Sequence, residues 1–135
     1  MVFYQYQKIT IIRTARPRQP DLNQELQFLG NSLGLFNLRD KDKSLFRIFI
    51  ELLRASKKGN PLTSDELAER LGLSRGTVVH HVNKLLEAGI VLNMRNKYLL
   101  RVENLAALIG ELEKDIQRNL EDLKAVASDI DKRLA

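Results

Sequence analysis

The chain has 135 residues, 44% of them hydrophobic and 29% charged, with a net charge of +5 and no cysteine. That length supports one well-buried core, with or without an extended appendage, and the missing thiols exclude disulfides, thiolate metal sites and thiol nucleophiles. No apolar run approaches the roughly 20 residues of a membrane span, and the first residues, MVFYQYQKITIIR, lack the pattern of a signal peptide; a cytoplasmic protein is expected.

Residues 1–19 form a basic, aromatic-rich arm with Phe3, Tyr4, Tyr6, Lys8, Arg13, Arg16 and Arg18. Ile9, Thr10, Ile11 and Ile12 favour extended backbone, so Phe3 to Ile12 is expected as an edge strand, and Pro17 and Pro20 stop regular structure. Arg13 to Arg18 is open between a solvated segment and one that follows phosphates or a minor groove. Asp21 is a fair N-cap for a helix over 21–36, with Leu22, Leu26, Leu29 and Leu33 at helical spacing and Gly30 and Gly34 weakening its end. This helix is expected to cover the core or contact a second subunit. Asp40 or Asp42 can cap the next helix, over 40–58, whose broad apolar face is Leu45, Phe46, Ile48, Phe49, Leu52 and Leu53.

Residues 63–91 then read as helix, tight turn, helix, strand. Thr63 and Glu66 have the spacing of a capping box, and Leu67, Ala68 and Leu71 supply an apolar side. Gly72 breaks the pattern, and Ser74 caps a second helix with Val78, Val82 and Leu85 on its buried side. Gly89 ends that helix. A short helix joined by a turn to a polar-faced second helix is the arrangement that carries a helix into the DNA major groove. Around its outer side fall Arg75, Gly76, Thr77, His80, Asn83 and Lys84. Arg75, His80 and Asn83 have donors suited to base edges, Ser74, Thr77 and Lys84 suit phosphates, and Gly76 allows close approach. Glu87 is the only acid expected near this set. Adjacent His80 and His81 point about 100° apart, which argues against a shared metal ion; His81 is expected to be a half-buried packing residue.

Residues 90–102, IVLNMRNKYLLRV, read as two strands around a polar tip, a basic hairpin that places Arg95 and Lys97 for phosphate contact. From Glu103 to Leu134 one helix is expected, about 48 Å long at 1.5 Å per residue. Its narrow stripe of Leu105, Ile109, Leu112, Ile116, Leu120, Leu123, Ala127, Ile130 and Leu134 needs a partner, most simply the same helix of a second copy. Two successive steps of four, Leu112 to Ile116 to Leu120, form a stutter. Charge divides at the same place: 17 Lys/Arg against 9 Asp/Glu up to Val102, and 5 against 8 from Glu103 onward. That suits a body facing phosphates and a helix facing protein.

The expected fold is therefore mostly α with a small β-hairpin wing. It comprises an arm and packing helix over 1–39, a winged helix-turn-helix over 40–102, and a C-terminal dimerisation helix over 103–135. LSRGTVVHHVNKLLEAGIV resembles the recognition helix and following strand of ArsR-like winged-helix regulators, which share features with the MarR and TrmB groups. The resemblance covers roughly residues 41–102. It implies a homodimer reading a pseudo-palindrome in double-stranded DNA, with Ser74, Arg75, Thr77, His80, Asn83 and Lys84 at positions that commonly contact DNA. The metal-sensing members place cysteines that this chain lacks, and the 40-residue N-terminal extension is unlike a minimal member. A competing reading makes the winged helix a protein-docking module whose long helix binds another chain. The sequence offers no stacking array for RNA, no catalytic constellation and no cofactor motif; no enzyme is expected, and a small-molecule effector stays open.

Overall fold

Among the described residues, 6–19 and 21–135, the computed structural model has five helices and one three-stranded antiparallel sheet. Phe3, Tyr4 and Pro20 lie outside them. The first helix, α1 (Leu22–Ser32), starts where expected, with the Asp21 carboxylate accepting from the Gln24 amide at 2.8 Å. Gly30 is a packing residue: a Cβ there would lie 2.7 Å from the Phe36 ring and 2.8 Å from Phe46. The chain leaves the helix through Gly34 at φ +72° and buries Leu33 and Leu35.

Asp40 secures the start of α2 (Ser44–Lys57) from outside the cap position. Lys43 occupies that position in a left-handed conformation, φ 54°, while the Asp40 carboxylate accepts from the amides of Ser44 and Leu45 at 3.0 and 2.9 Å. The helix buries Leu45, Ile48, Phe49, Leu52 and Ala55. Then come β1 (Leu62–Thr63), α3 (Ser64–Leu71), α4 (Arg75–Glu87), β2 (Val91–Met94), β3 (Lys97–Leu100) and α5 (Leu105–Leu134). The sheet order is β1-β3-β2: Leu62 pairs with Tyr98, and the hairpin pairs Val91 with Leu100 and Met94 with Lys97. The hairpin was expected; β1 was not, because two residues are too short to show alternation.

Two expectations are corrected. Residues 6–16 form no strand. The arm instead pairs with helix ends, the Lys8 amide donating to the Glu87 carbonyl at 2.9 Å and the Ile12 amide to the Ser32 carbonyl at 2.7 Å. Carbonyls in the last turn of a helix have no intrahelical donor, so they attract stray amides as a sheet edge would. The second correction concerns α5. Leu112 is 2% exposed and Leu105 packs against the same core, together with Leu108, so these two leucines of the expected stripe pack into their own chain. From Gln117 to Ala135 every residue is exposed.

Candidate nucleic-acid interface

Local chemistry fixes the α3–turn–α4 unit. Thr63 and Glu66 form the full capping box: the Glu66 amide donates to Thr63 Oγ1 at 3.1 Å and the Thr63 amide to Glu66 Oε1 at 3.2 Å. These bonds also hold the Glu66 carboxyl below its usual pKa. Gly72, at φ 67°, closes α3 in the left-handed region that a glycine adopts without a Cβ penalty. Arg47 adds a bond from its guanidinium to the Leu71 carbonyl at 2.6 Å. Ser74 caps α4, accepting from the Thr77 amide at 3.1 Å.

The two sides of α4 differ sharply. Val78 and Val82 are 0% exposed and Leu85 1%, whereas Ser74, Arg75, Gly76, His80, Asn83 and Lys84 are all exposed and Thr77 is half-buried. A Cβ on Gly76 would meet nothing within 4 Å, so the helix is open at that point. The Ser74 hydroxyl donates to Thr77 Oγ1 at 2.8 Å, which engages the serine proton and leaves the threonine proton for an outside acceptor. Arg75 is not without an acid: its Nε lies 3.6 Å from Asp65 Oδ1, both side chains being largely exposed. Lys97, opposite Thr63 in the sheet, also lies near enough to Glu66 to lower its pKa. The expectation that Glu87 is the sole acid nearby is therefore wrong, because α3 brings two more. An exposed pair such as Asp65–Arg75 contributes only about 0–1 kcal/mol, which a phosphate can displace.

His81 is more buried than expected, at 8% exposed. Its Nε2 is 3.8 Å from Asp40 Oδ2, and its Nδ1 has no hydrogen-bond partner among the described residues. Burial pushes the imidazole below its ordinary pKa, against the pull of Asp40. Burial would raise the Asp40 carboxyl in turn, but the Leu45 and Ser44 amides hold it low. His80 points outward, with its ring centroid 5.4 Å from that of His81.

The wing turns through Arg95 and Asn96, both at positive φ, 53° and 67°. Two such residues make the I′-type turn whose twist suits a hairpin. Asn93 Oδ1 accepts from the Asn96 amide at 2.9 Å and supports the turn. Arg95 and Lys97 are exposed at the tip and edge, as are Leu92 and Met94.

Residues 44–92 match the family model of a helix-turn-helix domain. The matched span runs from the first residue of α2 into β2. No curated protein and no solved structure matches the chain.

Sequence reasoning missed two features of this helix-turn-helix domain and its surroundings. Val79 is 37% exposed between Arg75 and Asn83 on the outer side of α4; its signal was an apolar residue one position out of phase with Val78, Val82 and Leu85. The second is a polar node behind the domain. Asp115 on α5, 8% exposed, accepts from Gln7 Nε2 at 2.8 Å, from both terminal nitrogens of Arg101 and from Arg118 at 2.6 Å. Gln7 also reaches the Ala88 carbonyl at the end of α4. The Arg101 guanidinium holds the Asp115 carboxyl far below the usual carboxylate range, and Asp115 raises Arg101 in return. An aspartate in phase with Leu108 and Leu112 was the available signal. The node ties the arm, the base of the wing and α5 to the C-terminal end of α4.

Proposed function

We propose that the protein is a sequence-specific regulator that binds double-stranded DNA as a homodimer, with residues 74–88 in the major groove and the wing, 91–101, along the backbone. The observation that carries this reading is the division of α4: one side wholly buried, the other an unobstructed surface of Arg75, Gly76, His80, Asn83 and Lys84. Arg75, His80 and Asn83 read base edges, where a good bidentate contact discriminates by about 1–3 kcal/mol. Val79, at the centre of that surface, offers apolar contact to a thymine methyl. Ser74, Thr77, Lys84, Arg95 and Lys97 contact phosphates and fix register without reading sequence. Gly76 lets the helix approach the groove wall.

The dimer forms through the outward stripe of α5, in which Ile109, Leu120, Leu123, Ala127, Ile130 and Leu134 are exposed and Ile116 half-exposed. Two recognition helices related by a two-fold axis then read two half-sites. The resemblance to ArsR-like regulators supports the same arrangement.

Selection of bound fragments from random duplex DNA tests the reading. A recovered motif with two-fold symmetry is the expected result. Recovery of no enriched sequence, with capture of the chain through α5 alone, would favour the protein-docking alternative.

A further inference from the structure

The apolar stripe of α5 changes role along the helix. Leu105, Leu108 and Leu112 face the chain's own core, while the register continued by Ile109 and Glu113 runs on through Ile116, Leu120, Leu123, Ala127, Ile130 and Leu134. From Ile116 these positions alternate in steps of four and three, the spacing of a coiled-coil seam. The last 19 residues, 117–135, are all exposed and extend about 28 Å at 1.5 Å per residue. The seam does not end where the body begins. It runs into a groove of about 400 Å³ between Ile11 of the arm and Ile109, Leu112, Ile116 and Leu120 of α5, with Glu113 on its wall.

We propose that this groove receives the free end of α5 from a second copy, so that the two helices pair antiparallel. The proposal rests on the homodimer reading and adds its direction and register. Leu120 packs against the second copy's Leu123 twice about the centre. Ile116 then meets Ala127, Glu113 meets Ile130, and Ile109 meets Leu134. A shift of one heptad either way leaves Ile109 or Leu134 uncovered. Charge favours the same direction. In a parallel pair Glu113 faces its own copy across an apolar seam, a like-charge contact, whereas in the antiparallel pair it faces Ile130 of the second copy. Length favours it too. The antiparallel contact spans residues 109–134, about 39 Å, against about 28 Å for the free ends alone. The added length, with Ile11 as a second wall, brings a two-helix seam closer to the ~800 Å² per partner of a stable interface.

The chain contains no cysteine, so single labels read the geometry cleanly. Asp122→Cys and Lys132→Cys, both at exposed positions without side-chain bonds among the described residues, are spin-labelled separately in the full chain and measured by pulsed dipolar spectroscopy. Antiparallel pairing separates the two copies of residue 122 by only about 1.5 Å along the axis and the two copies of residue 132 by about 32 Å. A Lys132 distance longer than the Asp122 distance by some 15 Å or more is the expected result. Equal short distances at both positions would overturn the direction while leaving the dimer. Absence of dipolar coupling, with a monomer by sedimentation, would overturn the homodimer itself.

Discussion

Replacing Asp115 tests how firmly α5 is fixed to the helix-turn-helix domain. Its carboxylate accepts from Gln7, Arg101 and Arg118, and it is 8% exposed. Arg118, with a side chain 70% exposed, returns to water on loss of its partner, so its share is about 0–1 kcal/mol. The Arg101 side chain is only 22% exposed and would keep only the more distant Glu111 carboxylate, at 3.7 Å, and the Gly89 carbonyl, at 3.5 Å. Breaking a fully buried pair costs about 3–5 kcal/mol; partial access of Arg101 to water lowers that to about 2 kcal/mol, and Gln7 adds a fraction of one. Asp115→Ala is therefore expected to destabilise by about 2–3 kcal/mol in urea unfolding followed by circular dichroism near pH 7. The pH dependence separates charge from packing. Because the folded carboxyl is depressed, the unfolded chain takes up its proton first. The stabilisation is thus complete above the ordinary aspartate pKa of about 3.9 and is lost as pH falls below it. The stability gap between wild type and Asp115→Asn should be constant above about pH 5 and narrow on acidification. A gap that stays the same down to pH 2.5, or one under about 0.5 kcal/mol at neutral pH, would refute this account of the node.

Gly76→Ala should leave stability unchanged or raise it by up to about 1 kcal/mol, since its Cβ meets nothing in the protein, yet weaken DNA binding by crowding the groove wall. Equal DNA affinity would remove Gly76 from the interface. Gly30→Ala should destabilise by about 1–2 kcal/mol in urea unfolding despite better helix propensity, because two rings stand under 3.0 Å from the new Cβ; a more stable variant would contradict that packing. His81 is held neutral by burial, so the unfolded chain protonates first and stability should fall as pH drops below about 6.5. His81→Leu should abolish that step in a melting-temperature series, and a step that persists would place its origin elsewhere.

The helix-turn-helix was legible because each boundary carries a local signal: Thr63 with Glu66, Gly72, Ser74 and Gly89 all act where their chemistry says they should. What stayed hidden depends on distant parts of the chain. Ile9 to Ile12 did announce extended backbone, but whether an extended segment finds a sheet edge or a helix end is a tertiary matter. Asp65 reaches Arg75 only because the turn folds α3 back toward α4. The stutter at Leu112–Ile116–Leu120 was visible, and the structure gives its physical meaning: there the helix stops packing on its own core and turns its apolar side outward. Asp115 stands in phase with Leu108 and Leu112, but its burial makes sense only once Arg101 and Gln7, distant in the chain, come beside it.

The salt dependence of binding to a selected duplex tests the DNA-facing surface most directly. Each phosphate neutralised contributes about −0.9 to the slope of log K against log salt. With Lys84, Arg95 and Lys97 all exposed for phosphate contact, the slope should approach about −3 for each protomer bound. Removing both wing cations, Arg95→Ala with Lys97→Ala, should reduce it by about 2 per protomer while leaving base preference intact. A flat salt response in the wild type would contradict the claim that this surface meets DNA.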